Sequence, residues 1–165
     1  MKKYVKKILL IGNTGVGKTS LVTRYVENKF SDTYLTTIGV NIMKKMVLLE
    51  KDGESVDVAL MIWDVEGSTD SQKIPSHYSK GANGYIIVID GSQKETLNNL
   101  KVHLEYTDGT PFVLAVNKCD LPSVVSLDTE AFKEKFPNCI AVMETSAKIN
   151  SNVEELFKTL TNKII

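Results

Sequence analysis

Apolar and polar positions alternate along this chain in two distinct rhythms. Tyr4 to Ile11 ends in a continuous apolar run bounded by a Gly-rich turn, which suits a strand buried on both faces. Lys18 to Glu27 reads as a helix. Asn41 to Lys51 and Ser55 to Asp64 are β-rich, and the Asp52-Gly53 pair between them is a strong hairpin signal. This hairpin is the one antiparallel element. From there strand and helix alternate: Gly84 to Asp90, Lys94 to Tyr106, Phe112 to Asn117, Leu127 to Phe136, Cys139 to Glu144 and Val153 to Ile164. Leu97, Leu100 and Leu104 give one helix an apolar stripe, and Val153, Leu156, Leu160 and Ile164 give another. Ser92 with Glu95, and Ser151 with Glu154, have capping-box spacing at the starts of these two helices. The pattern predicts an α/β fold of three layers: a six-stranded, mostly parallel sheet with one antiparallel edge strand and about five helices.

Composition narrows the class. With 165 residues, no repeat and no linker, the expectation is one domain over residues 1–165, large enough to bury a core. Twenty basic residues balance twenty acidic ones, so no global field points to nucleic acid or an anionic membrane. The basic start is followed by only a short apolar run, Ile8 to Ile11, and nothing approaches the roughly 18 apolar residues of a membrane span. A soluble cytoplasmic monomer is expected. Lys2 stands where a myristoyl acceptor glycine would be, and TLTNKII offers no cysteine to prenylate, so no lipid anchor is expected on this chain. Cys119 and Cys139 are not at metal-ligand spacing and are expected to be reduced, in or beside buried strands.

Gly12-Asn13-Thr14-Gly15-Val16-Gly17-Lys18-Thr19 carries the first chemistry. It fits G-x-x-x-x-G-K-[ST] and lies between a buried strand and a helix, where backbone N–H groups can wrap a phosphate chain. Glycines at 12, 15 and 17 let the backbone approach, Lys18 supplies a point charge, the Thr19 hydroxyl is placed to ligate Mg²⁺, and the helix N-terminus adds a positive dipole end. The motif by itself specifies phosphate and leaves kinases and ATPases open.

Two loops at the carboxyl ends of parallel strands read the base. In Asn117-Lys118-Cys119-Asp120 the Asp120 carboxylate can accept two hydrogen bonds from guanine, whereas adenine offers no donor at that edge and would leave it unpaired. Thr145-Ser146-Ala147-Lys148 offers a backbone N–H to the guanine 6-oxo group. Taken together, GNTGVGKT, WDxxG, NKCD and TSAK, in this order and spacing, resemble the Ras superfamily of small GTPases across essentially the whole chain. Trp63 before Asp64, the TTIGVN segment and the HYSKGAN stretch are most similar to its Rab-like branch.

The resemblance implies a GTP/GDP switch with Mg²⁺. It implies nucleotide contacts from Asn13 through Ser20, from Phe30 and Tyr34, from Thr37 and Gly67, from Asn117, Lys118, Asp120 and Leu121, and from Ser146, Ala147 and Lys148. Lys118 would lay its stem along the base and Phe30 would flank it. Thr19, Thr37 and Asp64 would hold the metal, while Lys18, Thr37, Gly67 and Ser68 would serve catalysis. Effectors, exchange factors and activating proteins would meet Phe30–Gly39 and Asp64–Gly81, the two loops that respond to the γ-phosphate.

Three departures from the family pattern stand out. Where the family has DxAGQ this chain has Asp64-Val65-Glu66-Gly67-Ser68, so the glutamine that orients the attacking water is absent and Ser68 is too short to replace it. Very slow intrinsic hydrolysis is expected, since phosphoryl transfer in this class depends on positioning and charge stabilisation. Glu66 is expected to face solvent, with action on the water or weakened closure as alternatives. Thr14, at the phosphate-loop position nearest the γ-phosphate, leaves little room for an incoming group. Arg24, the only arginine in the chain, is expected to be exposed or salt-bridged. A pseudo-GTPase interaction module remains the alternative.

Overall fold

A computed structural model describes residues 1–68 and 73–165. Six strands form one sheet in the order β2-β3-β1-β4-β5-β6. They are β1 (Lys2–Gly12), β2 (Val40–Lys51), β3 (Glu54–Val65), β4 (Gly84–Asp90), β5 (Phe112–Asn117) and β6 (Cys139–Glu144). Only β2 and β3 pair antiparallel, which makes β2 the antiparallel edge strand. The hairpin turns on Asp52 and Gly53, both at positive φ, so that glycine and a small polar residue are required there. Five α-helices complete the described residues: α1 (Lys18–Glu27), α2 (Lys94–Asn98), α3 (Leu100–Thr107), α4 (Thr129–Lys135) and α5 (Val153–Ile164), with a short 3-10 helix at Ser76–Ser79. None is long and apolar enough to cross a membrane.

Successive residues of β1 feed opposite layers. Ile8 and Leu10 join the core under α1 and α5 with Val58, Leu60, Leu156, Phe157 and Leu160. Leu9 and Ile11 join the core under α3 and α4 with Ile87, Leu114, Leu100 and Phe132. Each such buried side chain stabilises the fold by roughly 1.5–3 kcal/mol. The strand order reverses at β1, which has β3 on one side and β4 on the other, and this opens a crevice at its carboxyl end.

Two local expectations are corrected. The helix expected over Lys94–Tyr106 breaks at Asn99, which leaves helical geometry at φ −88°, ψ 1° where two asparagines of low helix propensity adjoin. Neither capping box forms: the Ser92 hydroxyl is engaged by Asp90, and Ser151 lies one residue before the residue that opens α5. Ser92 donates its backbone N–H and its hydroxyl to Asp90 Oδ1, at 2.9 and 2.6 Å, and α2 is opened by Gln93. Ser151 exchanges main-chain hydrogen bonds with Ser146, and α5 is opened by Asn152 in the left-handed region. The side-chain cap that does form is on α4, where the Asp128 carboxylate accepts from the Ala131 N–H.

Candidate functional site

The segment Gly12–Thr19 fills the turn from β1 into α1. Gly17 sits at φ 101°, and a Cβ there would overlap the Asn117 side-chain amide. A Cβ on Gly12 would overlap the Val88 carbonyl. Glycine at both positions lets the loop press against the ends of β4 and β5. The Lys18 ammonium is buried and donates to the carbonyls of Gly12 (3.0 Å) and Asn13 (2.8 Å). Burial lowers its pKa to about 8, opposed by the negative charge of Asp64. An anion bound at this point would favour the charged form of the ammonium.

Three side-chain oxygens from three separate segments converge beside Lys18. Thr19, at the start of α1, donates its hydroxyl to Asp64 Oδ2 near the end of β3 (2.6 Å), and the Thr37 hydroxyl lies 2.6 Å from that of Thr19. Burial pushes the Asp64 carboxyl up, while hydrogen bonds from Thr19 and Thr37 and the charge of Lys18 pull it down. Asp64 Oδ1 is buried with no hydrogen-bond partner among the described residues. An orphaned carboxylate oxygen beside two hydroxyls is a donor set suited to a hard, oxygen-preferring cation. Among the described residues no cluster of three His, Cys, Asp or Glu side chains exists, so this carboxylate-and-hydroxyl group is the metal candidate.

A cavity of about 440 Å³ extends from these oxygens across the carboxyl ends of β1 and β5. It is lined by Thr14, Gly15, Gly17, Lys18, Thr19 and Ser20, by Phe30, Tyr34, Thr37 and Gly67, and by Asn117, Lys118, Asp120, Leu121, Ala147 and Lys148. At its far end the Ser146 hydroxyl donates to Asp120 Oδ1 at 2.7 Å and fixes that carboxylate. Asn117 ties three loops together by donating to the Val16 carbonyl (2.9 Å) and accepting from the Thr145 hydroxyl (3.0 Å). Lys118, with backbone at φ 63°, stretches its side chain to the Gly15 carbonyl (2.7 Å) and to Asp90 Oδ2 (3.0 Å). Phe30 both lines the cavity and packs on the core.

Asn13, Val16 and Ser146 lie outside the cavity wall. Val16 is a core side chain and Ser146 is wholly buried behind Asp120, so any direct contact from either is through its backbone. Arg24 is corrected: its guanidinium donates to the carbonyls of Ala147 (2.8 Å) and Lys148 (3.0 Å), bracing the TSAK loop from α1. Glu66 is half-buried: its carboxylate accepts from the Gly39 N–H (3.2 Å), while its own N–H donates to the Gly39 carbonyl (2.8 Å).

At the hydrolysis-related positions Gly67 packs directly on Thr14, so that any Cβ at 67 would overlap it. Ser68 is 1% exposed and absent from the cavity wall. Its hydroxyl lies 3.4 Å from His103 Nδ1, and His103 Nε2 lies 2.8 Å from Asn13 Oδ1. Residues 69–72, within the expected partner-binding range Asp64–Gly81, lie outside the described residues.

Sequence reasoning missed Asp90, Thr145 and His103. Asp90 carried a readable signal, a carboxylate at the carboxyl end of a buried strand, in register with Asn117. His103 did as well, since positions 100, 103, 104 and 107 share one helical face.

Comparisons with known proteins place the chain in a family. A family model described as the Ras family matches residues 7–165. Ras-related protein RABD2c of Arabidopsis thaliana is 40% identical over 169 residues, covering 98% of this chain and 81% of the relative. GTP-binding protein YPT1 of Saccharomyces cerevisiae is 38% identical over 167 residues, covering 98% of this chain and 79% of its own. Ras-related protein RIC1 of Oryza sativa subsp. japonica is 37% identical, with 98% and 81% covered.

Proposed function

The chain belongs to the Ras family of small GTPases, on its Rab-like side, and from that premise we propose that it is a monomeric cytoplasmic switch that holds GTP or GDP with Mg²⁺ and hydrolyses GTP very slowly. The observation that carries this reading is the convergence of Thr19, Thr37 and Asp64 beside the buried Lys18 ammonium, at the mouth of a cavity that ends on Asp120.

In this reading the backbone N–H groups of Gly15 to Thr19 and the Lys18 ammonium bind the phosphates. Thr19, Thr37 and Asp64 are the residues that would hold Mg²⁺, which when bound neutralises charge on the phosphate oxygens. Asp120, oriented by Ser146, accepts from the guanine edge, and Lys118 spans the base pocket from Asp120's loop to Gly15. Thr37 and Gly67 reach the end of the phosphate chain from opposite sides. That geometry makes the loops containing them respond to whether a γ-phosphate is present.

Slow hydrolysis follows from direction as well as length. Ser68 points under the phosphate loop, so no side chain from position 68 orients water in the cavity, and Thr14 against Gly67 narrows the approach of a partner's group. Tyr34, Leu35 and Ile38 are exposed apolar side chains along the Thr37 loop, which supports partner binding there.

Denaturing the purified chain and chromatographing what it releases tests the ligand: GTP or GDP is expected, and adenine nucleotides would overturn the reading. One turnover of loaded GTP, followed with Mg²⁺ present, tests the rate. Hydrolysis as fast as ordinary family members show would remove the claim of slowness.

A further inference from the structure

Ser68 is held at both its main chain and its side chain. Its N–H donates to the Gly12 carbonyl at 3.1 Å, the same carbonyl that accepts from Lys18 Nζ. Its hydroxyl meets His103 Nδ1, and His103 Nε2 meets Asn13 Oδ1. Asn13 in turn gives its carbonyl to Lys18 at 2.8 Å. The contacts close a ring that runs Gly12, Lys18, Asn13, His103, Ser68 and back to Gly12. His103 is 0% exposed and reaches this ring from α3, 35 residues away from Ser68 and 90 from Asn13.

The chemistry of the ring assigns the hydrogens. The Asn13 amide oxygen only accepts, so His103 Nε2 carries the proton of the 2.8 Å contact. In the neutral imidazole Nδ1 is then the acceptor, and the Ser68 hydroxyl donates to it. Turning Ser68 toward the cavity would break its buried contact with His103 Nδ1, so the arrangement resists that rotation.

We propose that His103 is a positioning residue that holds position 68 beneath the phosphate loop, and that this tether, in addition to the missing glutamine, suppresses hydrolysis. The proposal deepens the switch reading and rests on it. Restoring glutamine alone is then insufficient, because the loop start remains drawn toward α3. Releasing His103 alone is insufficient too, because serine cannot span to an attacking water. The two changes must act together.

The kinetic test is single-turnover hydrolysis by GTP-loaded wild type, Ser68→Gln, His103→Leu and the double variant. Each single variant is expected to stay within about 2-fold of wild type, the scatter of additive effects, and the double variant to exceed the product of the two by about 10-fold or more. A Ser68→Gln rate equal to that of the double variant overturns the proposal, as does a double variant that binds GTP yet gains nothing. A second measurement does not depend on these variants folding or on turnover. His77 and His103 are the only histidines, so their ring ¹⁵N resonances are readily separated. Ser68→Ala is expected to move the His103 Nδ1 resonance and leave that of His77 in place; an unmoved His103 resonance overturns the pairing. Fluorescent GTP binding by wild type is measured in parallel, and its absence would defeat the switch reading while leaving the ring resonance to judge the pairing independently.

Discussion

Asp120 and Cys139 show how surroundings decide what a side chain does. Ser146 fixes the Asp120 carboxylate before any ligand arrives, so little rotamer freedom is lost on binding. Two hydrogen bonds to this charged group contribute about 1.5–3 kcal/mol each. Asp120→Ala is therefore expected to weaken GDP binding by roughly 100-fold or more while leaving the weak binding of ADP nearly unchanged, as read by competition against a fluorescent nucleotide. Cys139 is buried at the start of β6, and burial pushes its thiol up from the usual value. The folded chain thus keeps the Cys139 proton at a pH where the unfolded chain has lost it, so this group opposes folding increasingly as pH rises through 9. Cys119 is half-exposed on the base loop. Mass spectrometry after brief alkylation at neutral pH should find Cys119 modified and Cys139 protected until denaturant is added. Equal labelling of both would contradict the packing described for β6.

At the scale of elements, helices here support loops as much as they cover the sheet. Helix α1 begins the phosphate site at Lys18 and, two turns on, sends Arg24 to the Ala147 and Lys148 carbonyls. Arg24→Ala removes two charge-assisted hydrogen bonds from the base loop, and nucleotide dissociation is expected to accelerate by about 10-fold or more. Arg24→Lys should recover little of this, because one ammonium cannot reproduce the planar fork on two carbonyls. Stopped-flow release of a fluorescent GDP analogue measures both. Helix α4 is the contrasting case, remote from the cavity. Asp128→Ala deletes its N-cap and should cost about 1 kcal/mol in urea unfolding with no change in nucleotide affinity. An affinity change would mean that α4 couples to the site. Capping-box spacing fails at both helices for physical reasons: Asp90 takes the Ser92 hydroxyl, and α5 starts one residue later than the spacing implies, at Asn152; spacing alone contains no information about either.

Across the whole molecule, the reversal of strand order at β1 brings together segments that are far apart in the chain. Thr19, Thr37 and Asp64 belong to α1, the loop before β2, and β3, yet their oxygens meet within hydrogen-bonding distance. Anything that binds this group stabilises several elements at once. Chelating divalent cations from the nucleotide-bound protein is expected to lower its melting temperature and speed nucleotide loss. Asp64→Ala should bring both near the chelated values, after which chelator has little further effect. Undiminished chelator sensitivity in Asp64→Ala would place the metal elsewhere.

The sequence by itself determined the sheet, its single antiparallel hairpin, the position of the glycine-rich loop between β1 and α1 and the placing of the NKCD and TSAK loops after β5 and β6. Those features follow from one-dimensional signals: apolar period, glycine where the backbone must approach another segment, and polar residues at the carboxyl ends of buried strands. Tertiary structure alone decided where Ser68, Glu66 and Arg24 point. Their partners, His103, Gly39 and the Ala147 and Lys148 carbonyls, lie 35, 27 and more than 120 residues away. A side chain's direction at such a site depends on which element packs over which loop. Motif spacing fixes the loop and leaves the rotamer to that packing.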